Sequence, residues 1–167
     1  MLKNYSIKMP RALYGGENAI GNITSILKAN GTKQVAIFTD KGVREAGLLA
    51  LLEKAVMEAG AEYYVLDDLP AEPSYLAVQK LIDEFKAKSA DMIIACGGGS
   101  VMDTAKLASV LATEEYTVKD LLDNPALARK LLPTIMIPTT AGTGAEATPN
   151  AIVAVPEKEL KVGIVNE

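Results

Sequence analysis

The 167-residue sequence contains no histidine. Metal centres and proton relays that need imidazole are therefore out of reach of its own side chains. Cysteine occurs once, at Cys96, which excludes an internal disulfide framework and any cysteine-rich zinc site. Cys96 sits in an apolar run and reads as a buried structural thiol rather than a reactive one. The net charge is −4 and no Lys/Arg cluster stands out, which argues against a nucleic-acid face. No apolar stretch approaches the ~20 residues of a membrane helix. Lys3, Asn4 and Lys8 are scattered through the N-terminus, so it does not read as a signal peptide. A cytoplasmic protein with neither nucleic acid nor membrane as partner is the expectation. What remains, 49% hydrophobic and 23% charged residues, is ordinary for one globular domain of this length.

Strand and helix patterns alternate along the chain. Residues 34–39 read as a first strand, closed by Asp40-Lys41-Gly42. Leu48, Leu49, Leu51, Leu52, Ala55, Val56 and Ala59 suggest a helix face, stopped by Gly60. Residues 62–66 read as the next strand. Pro73-Ser74 opens a helix with Leu76, Val78, Leu81, Ile82 and Phe85 as its apolar positions. Residues 92–96 and 134–137 supply a third and a fourth strand. Each strand–crossover–strand unit is long enough to return in parallel. The fold class expected is α/β, a Rossmann-like open parallel sheet with helices on both faces. Tyr5, Ile7, Met9 and Leu13 alternate ahead of Gly15-Gly16 and suggest an N-terminal edge strand or arm. Residues 151–165 suggest a C-terminal β-hairpin around Pro156-Glu157-Lys158-Glu159. The sequence stops directly after that strand without a closing helix, an odd place for a finished protein to end.

The residues most suggestive of chemistry are Gly97-Gly98-Gly99-Ser100, between the third strand and a helix pattern carried by Val101, Ala105, Ala108, Val110 and Leu111. Three glycines leave no side chain between backbone and ligand, and a helix start directs free N–H groups and partial positive charge at the same point. The turn is not a P-loop, because no Gly-Lys-Ser/Thr follows. Nor is it the usual dinucleotide fingerprint, since Met102 replaces the third glycine. A tight structural turn is the alternative. Ser100 and Asp103 then form a capping box, and Asp103 pairs with Lys106 on the helix surface. A second cluster, residues 138–148, follows the fourth strand with four threonines and two glycines, at the sheet edge where open α/β sheets bind ligands. Asp40 ends the first strand, where a carboxylate can accept both ribose hydroxyls of an adenosine. It can equally cap a helix or form an Asx-turn.

The run Gly97-Gly98-Gly99-Ser100-Val101-Met102-Asp103-Thr104-Ala105-Lys106, followed by Ile137-Pro138-Thr139-Thr140-Ala141-Gly142-Thr143-Gly144, closely resembles the iron-dependent alcohol dehydrogenase family. Thr39-Asp40 upstream and Lys161 downstream are in register. Ala145 stands where a serine is usual and Ala147 where a valine is usual. The resemblance implies that residues 1–167 form the dinucleotide-binding half of such an enzyme, with NAD as cofactor. Asp40 would hold the adenosine ribose. Gly97, Gly98, Gly99 and Ser100 would form the pyrophosphate turn. Thr139, Thr140 and Thr143 would line the cofactor, Thr148 and Lys161 would lie on the nicotinamide side, and Asp103 would border the cleft. The family's divalent metal, iron or zinc, is held by one aspartate and three histidines of a following helical domain. The chain without histidine carries no metal site, and by itself is expected to be inactive. Small primary alcohols or diols and their aldehydes are the implied substrates, and a homodimer through the N-terminal segment is implied. Two alternatives stay open: a free-standing nucleotide-binding module, and the same half of a glycerol-dehydrogenase-like or dehydroquinate-synthase-like enzyme.

Overall fold

The computed structural model describes residues 9–113 and 115–166. Its centre is a parallel sheet of four strands: β1 Gln34–Phe38, β2 Glu62–Leu66, β3 Met92–Gly97 and β4 Thr134–Pro138. Their spatial order is β2-β1-β3-β4. Among the described residues six α-helices accompany them: α1 Asn22–Ala29, α2 Lys41–Glu45, α3 Ala50–Glu58, α4 Tyr75–Lys86, α5 Gly99–Leu111 and α6 Val118–Asp123. An antiparallel hairpin of β5 Asn150–Val155 and β6 Leu160–Val165 completes the described chain. The α/β class, the parallel sheet and the hairpin are those expected from the sequence.

The two central strands, β1 and β3, are short, apolar and almost wholly buried, as strands covered on both faces should be, while the outer strands β2 and β4 are mostly half-buried. Alternate residues feed two separate cores. Val35 and Ile37 of β1, with Met92, Ile94 and Cys96 of β3, pack on Leu27 of α1 and on Leu52 and Val56 of α3. Ala36, Phe38, Ile93 and Ala95 face the other way, against Val78, Ile82 and Phe85 of α4 and Met102 and Ala105 of α5. This is the two-residue period of a strand written into burial. On α3 the stripe Leu49, Leu52, Ala55 and Val56 is buried, whereas Leu48 and Leu51 are exposed. At 100° per residue Leu51 falls off the buried stripe, whereas Leu48 precedes the helix in the turn at residues 46–49, so the expected leucine face is shorter and narrower than its composition suggests. Leu76 is exposed on α4 for the same reason as Leu51.

Helix ends follow local chemistry. The Ser74 hydroxyl caps α4 by accepting from Ala77 N–H at 3.2 Å. Gly60 ends α3 in the left-handed region with φ 80°. A reciprocal capping box between Thr117 and Asp120 starts α6, a helix the sequence patterns did not suggest, nor did they suggest α1 or α2. Tyr5 and Ile7 of the expected edge strand lie outside the described residues. Met9 and Leu13, within them, are exposed and not in a strand.

Candidate functional site

The strand order reverses between β1 and β3: the chain runs from β1 outward to β2, then returns to build β3 and β4 on the other side. Crossovers leaving in opposite directions open a crevice at the carboxyl ends of these two strands, and open α/β sheets bind ligands there. The crevice is stitched at its base, since the buried Thr39 hydroxyl donates to Cys96 O at 2.8 Å. Burial, and then the Asp40 carboxylate, push the Cys96 thiol above its ordinary value, as suits an inert structural thiol.

Asp40 follows β1 and caps α2, its Oδ1 accepting from Val43 N–H at 2.9 Å. Capping uses one carboxylate oxygen, and the other is free to face a ligand's hydroxyls by valence. Gly98, across the crevice, is the N-cap of α5, with no side-chain cap. Met102 N–H is bonded to Gly98 O at 3.2 Å, so the amides of residues 99–101 precede the helical ladder without intrahelical partners. Asp40, Lys41, Gly42, Gly98, Gly99 and Ser100 line one cleft of about 470 Å³ together with the loop 69–72. A second cleft of about 310 Å³ adjoins it through Glu72, Gly99 and Ser100, and adds Asp103, Thr143, Thr148 and Lys161. Both volumes are of small-molecule size.

The three glycines have different reasons to be glycine. A Cβ on Gly97 would meet the Val101 side chain at 2.6 Å, closer than atoms can approach, so Gly97 is required by packing and it lines neither cleft. A Cβ on Gly98 would meet Thr140 Oγ1 at 3.2 Å, and one on Gly99 would meet the Thr143 side chain at 3.5 Å. Side chains at these two positions would occupy the groove between the α5 start and the threonine loop. Gly142 and Gly144 shape that loop with φ 88° and 67°, a region L side chains rarely adopt. Thr139 and Thr140 lie outside both clefts. Thr139 instead donates its N–H to Gly97 O at 3.0 Å, continuing the β3–β4 ladder, while Thr140 abuts Gly98.

The Ser100–Asp103 capping box of the alternative, purely structural reading does not form. The helix starts earlier, at Gly99, so Ser100 lies inside the first turn and Asp103 lies beyond it. Asp103 is 6% exposed and looks at the hairpin. Its Oδ2 accepts from Ile152 N–H at 3.1 Å and its Oδ1 from Lys106 Nζ at 2.9 Å. Lys106 Nζ also donates to Asn150 O at 2.6 Å. The Asp103–Lys106 pair expected on the helix surface is therefore an interior clamp that seats β5 on α5. Through β5 it also positions Lys161 of β6, the cross-strand partner of Ala154.

Glu72 escaped the sequence patterns. It lies between β2 and α4, lines both clefts, and binds Lys161 Nζ at 2.7 Å. The available signal was topological, because every loop after a parallel strand ends at this edge. For a divalent metal the fit fails. The chain has no histidine, and among the described residues no three Cys, Asp or Glu side chains converge.

A family model described as iron-containing alcohol dehydrogenase matches residues 10–167. The chain belongs to this family. It is 36% identical over 169 residues to the sulfoacetaldehyde reductase of Bilophila wadsworthia (strain 3_1_6), covering 98% of this chain and 42% of the reductase. It is 40% identical over 142 residues to the mitochondrial hydroxyacid-oxoacid transhydrogenase of Caenorhabditis briggsae, covering 80% of this chain and 30% of that protein. A solved iron-containing alcohol dehydrogenase of Thermotoga maritima matches with a TM-score of 0.87 at 31% identity, over 98% of this chain and 45% of that one. The chain thus spans less than half the length of these relatives. Among the described residues, no helix is long and apolar enough to cross a membrane.

Proposed function

We propose that this chain is the NAD(H)-binding half of a metal-dependent alcohol dehydrogenase or aldehyde reductase acting on small primary alcohols or diols. The observation that carries the reading is the convergence of Asp40 and the bare turn Gly98-Gly99-Ser100 on one crevice at the strand-order reversal. In this reading Asp40 accepts the adenosine ribose hydroxyls. The unpaired amides at the start of α5 receive the pyrophosphate, and the groove between Gly98 and Thr140 leaves it room. Thr143, Thr148 and Lys161 line the neighbouring cleft, where the nicotinamide end would lie. Thr139 and Gly97 support the turn from behind. When bound, the nicotinamide supplies hydride transfer. The chain's own residues bind and orient, while the divalent metal, iron or zinc, would be held by residues outside this sequence.

Discrimination between the two nicotinamide cofactors tests the reading. A carboxylate at the ribose repels a 2′-phosphate, and two like charges near a protein surface differ by about 1–4 kcal/mol at contact distance. Fluorescence titration is expected to show NADH bound at least about tenfold more tightly than NADPH, with the preference lost in Asp40→Gly. Equal affinities in the native chain, or a preference untouched by Asp40→Gly, would contradict the assignment.

A further inference from the structure

We propose that Glu72 is a displaceable counter-ion that holds Lys161 across the junction of the two clefts and competes with the anionic part of the cofactor for it. The proposal rests on the cofactor reading above and goes beyond it, because it assigns an affinity-setting role to a residue outside the binding motifs.

Backbone geometry dictates the meeting. Pro73 O accepts from Ala154 N–H at 3.0 Å, which pins the loop after β2 to the hairpin. Lys161 lies opposite Ala154 in the β5–β6 register. Glu72, one residue before the pinned position, is thereby brought beside the lysine, and the pair closes at 2.7 Å. Glu72 adopts φ 52°, left-handed backbone that a residue with a side chain adopts at a cost. The pinned loop holds it there, and such strain is stored most often at functional positions. Hydrogen bonding to Lys161 holds the Glu72 carboxyl below its usual value, so it is an anion at neutral pH.

The charge is out of place for an anion site. Glu72 shares the junction with Gly99 and Ser100, where both clefts meet. A free carboxylate there would repel a pyrophosphate, and the ion pair neutralises it. An arriving anion then meets a compensated pair instead of a free ammonium, and must take Lys161 from Glu72. Exchange is easy because the pair is wet: the Lys161 side chain is 52% exposed and that of Glu72 73%. Exposed pairs of this kind are weak.

The test is NADH titration at low ionic strength of the native chain, Glu72→Gln, Lys161→Met and the double variant. Alongside it, the rate of Lys161 acetylation by an N-hydroxysuccinimide ester is read by mass spectrometry without cofactor. Glu72→Gln is expected to bind NADH about two- to fivefold more tightly, the range set by a weak exposed pair. Lys161→Met is expected to bind most weakly, because it leaves Glu72 a free carboxylate beside the anion, and the double variant to bind more tightly than Lys161→Met but more weakly than Glu72→Gln. Lys161 should be acetylated faster in Glu72→Gln. Unchanged or weaker binding in Glu72→Gln overturns the exchange, as does a double variant that binds as tightly as Glu72→Gln, since the freed lysine would then contribute nothing. NADH binding with equal acetylation rates also overturns it, leaving the cofactor reading standing. No NADH binding by any of the four proteins overturns the cofactor reading, and this proposal with it.

Discussion

Three consecutive glycines look interchangeable as letters, yet each answers to a different neighbour. Gly97 is buried at the end of β3, where a methyl group would collide with Val101 at 2.6 Å. Gly99 opens α5, where a Cβ has ordinary clearance from Thr143 at 3.5 Å. Substitutions should therefore separate folding from binding. Gly97→Ala is expected to lose about 1–3 kcal/mol of stability, the usual cost of overpacking. Gly99→Val should stay within about 1 kcal/mol of the native chain yet lose NADH binding, because its methyl groups fill the groove proposed for the pyrophosphate. Urea melts paired with NADH titration measure both. Loss of stability with retained binding in Gly99→Val, together with loss of binding at native stability in Gly97→Ala, would reverse the assignment. Asp40 shows the same duality within one residue. Capping α2 and facing a ligand were alternatives in the sequence, but the structure makes them compatible, since the cap engages a single oxygen.

Elements with strong local signals were legible before any coordinates. The four strands, the cap at Ser74 and the stop at Gly60 depend on neighbours in sequence. What the sequence hid depends on neighbours in space. Asp103 and Lys106 are three residues apart, which suggests a surface pair on a helix. Only the docking of β5, some fifty residues later, turns them into an interior clamp. Glu72 was hidden likewise, because its partner Lys161 lies 89 positions away. Likewise the sequence presents the threonine loop as one lining, although Thr143 and Thr148 border a cleft and Thr139 does not. The clamp has a measurable consequence. Asp103→Ala leaves Lys106 without its carboxylate in a site where that side chain is 17% exposed, and leaves Ile152 N–H without an acceptor. Breaking a buried pair from one side typically costs about 3–5 kcal/mol, and the partial exposure of Lys106 places this one near the lower end. Chemical denaturation should show the loss. Hydrogen exchange at the Ile152 amide should accelerate more than at Ile94 in the central sheet. Equal protection of Ile152 in both proteins would mean that the hairpin is held by its apolar contacts alone.

At the scale of the molecule, family membership and side-chain inventory pull apart. The chain belongs to the iron-containing alcohol dehydrogenases, but among its described residues no three Cys, Asp or Glu side chains converge. Imidazole is absent, which leaves carboxylates as the only strong ligands in the clefts, and there are three: Asp40, Glu72 and Asp103. Each is already engaged. Asp40 caps α2, Glu72 binds Lys161, and Asp103 clamps the hairpin through Lys106 and Ile152. Asp40 has one oxygen to offer without giving up its cap, full release of any of the three to a cation leaves a lysine or an amide unpaired, and no two of them share a hydrogen-bond partner that would gather them around one ion. A catalytic divalent site needs about three protein ligands and one open position, so added metal should not be fixed beside the nicotinamide. The 167-residue chain is therefore expected to bind NADH while turning over no alcohol or aldehyde above the buffer rate, with ferrous iron, zinc or neither. The assay is NADH formation or loss at 340 nm with a panel of short alcohols, diols and aldehydes, alongside an NADH titration of the same preparation. Metal-stimulated turnover would show that these carboxylates rearrange around an ion, and variants of Asp40, Glu72 and Asp103 would then identify which of them does so.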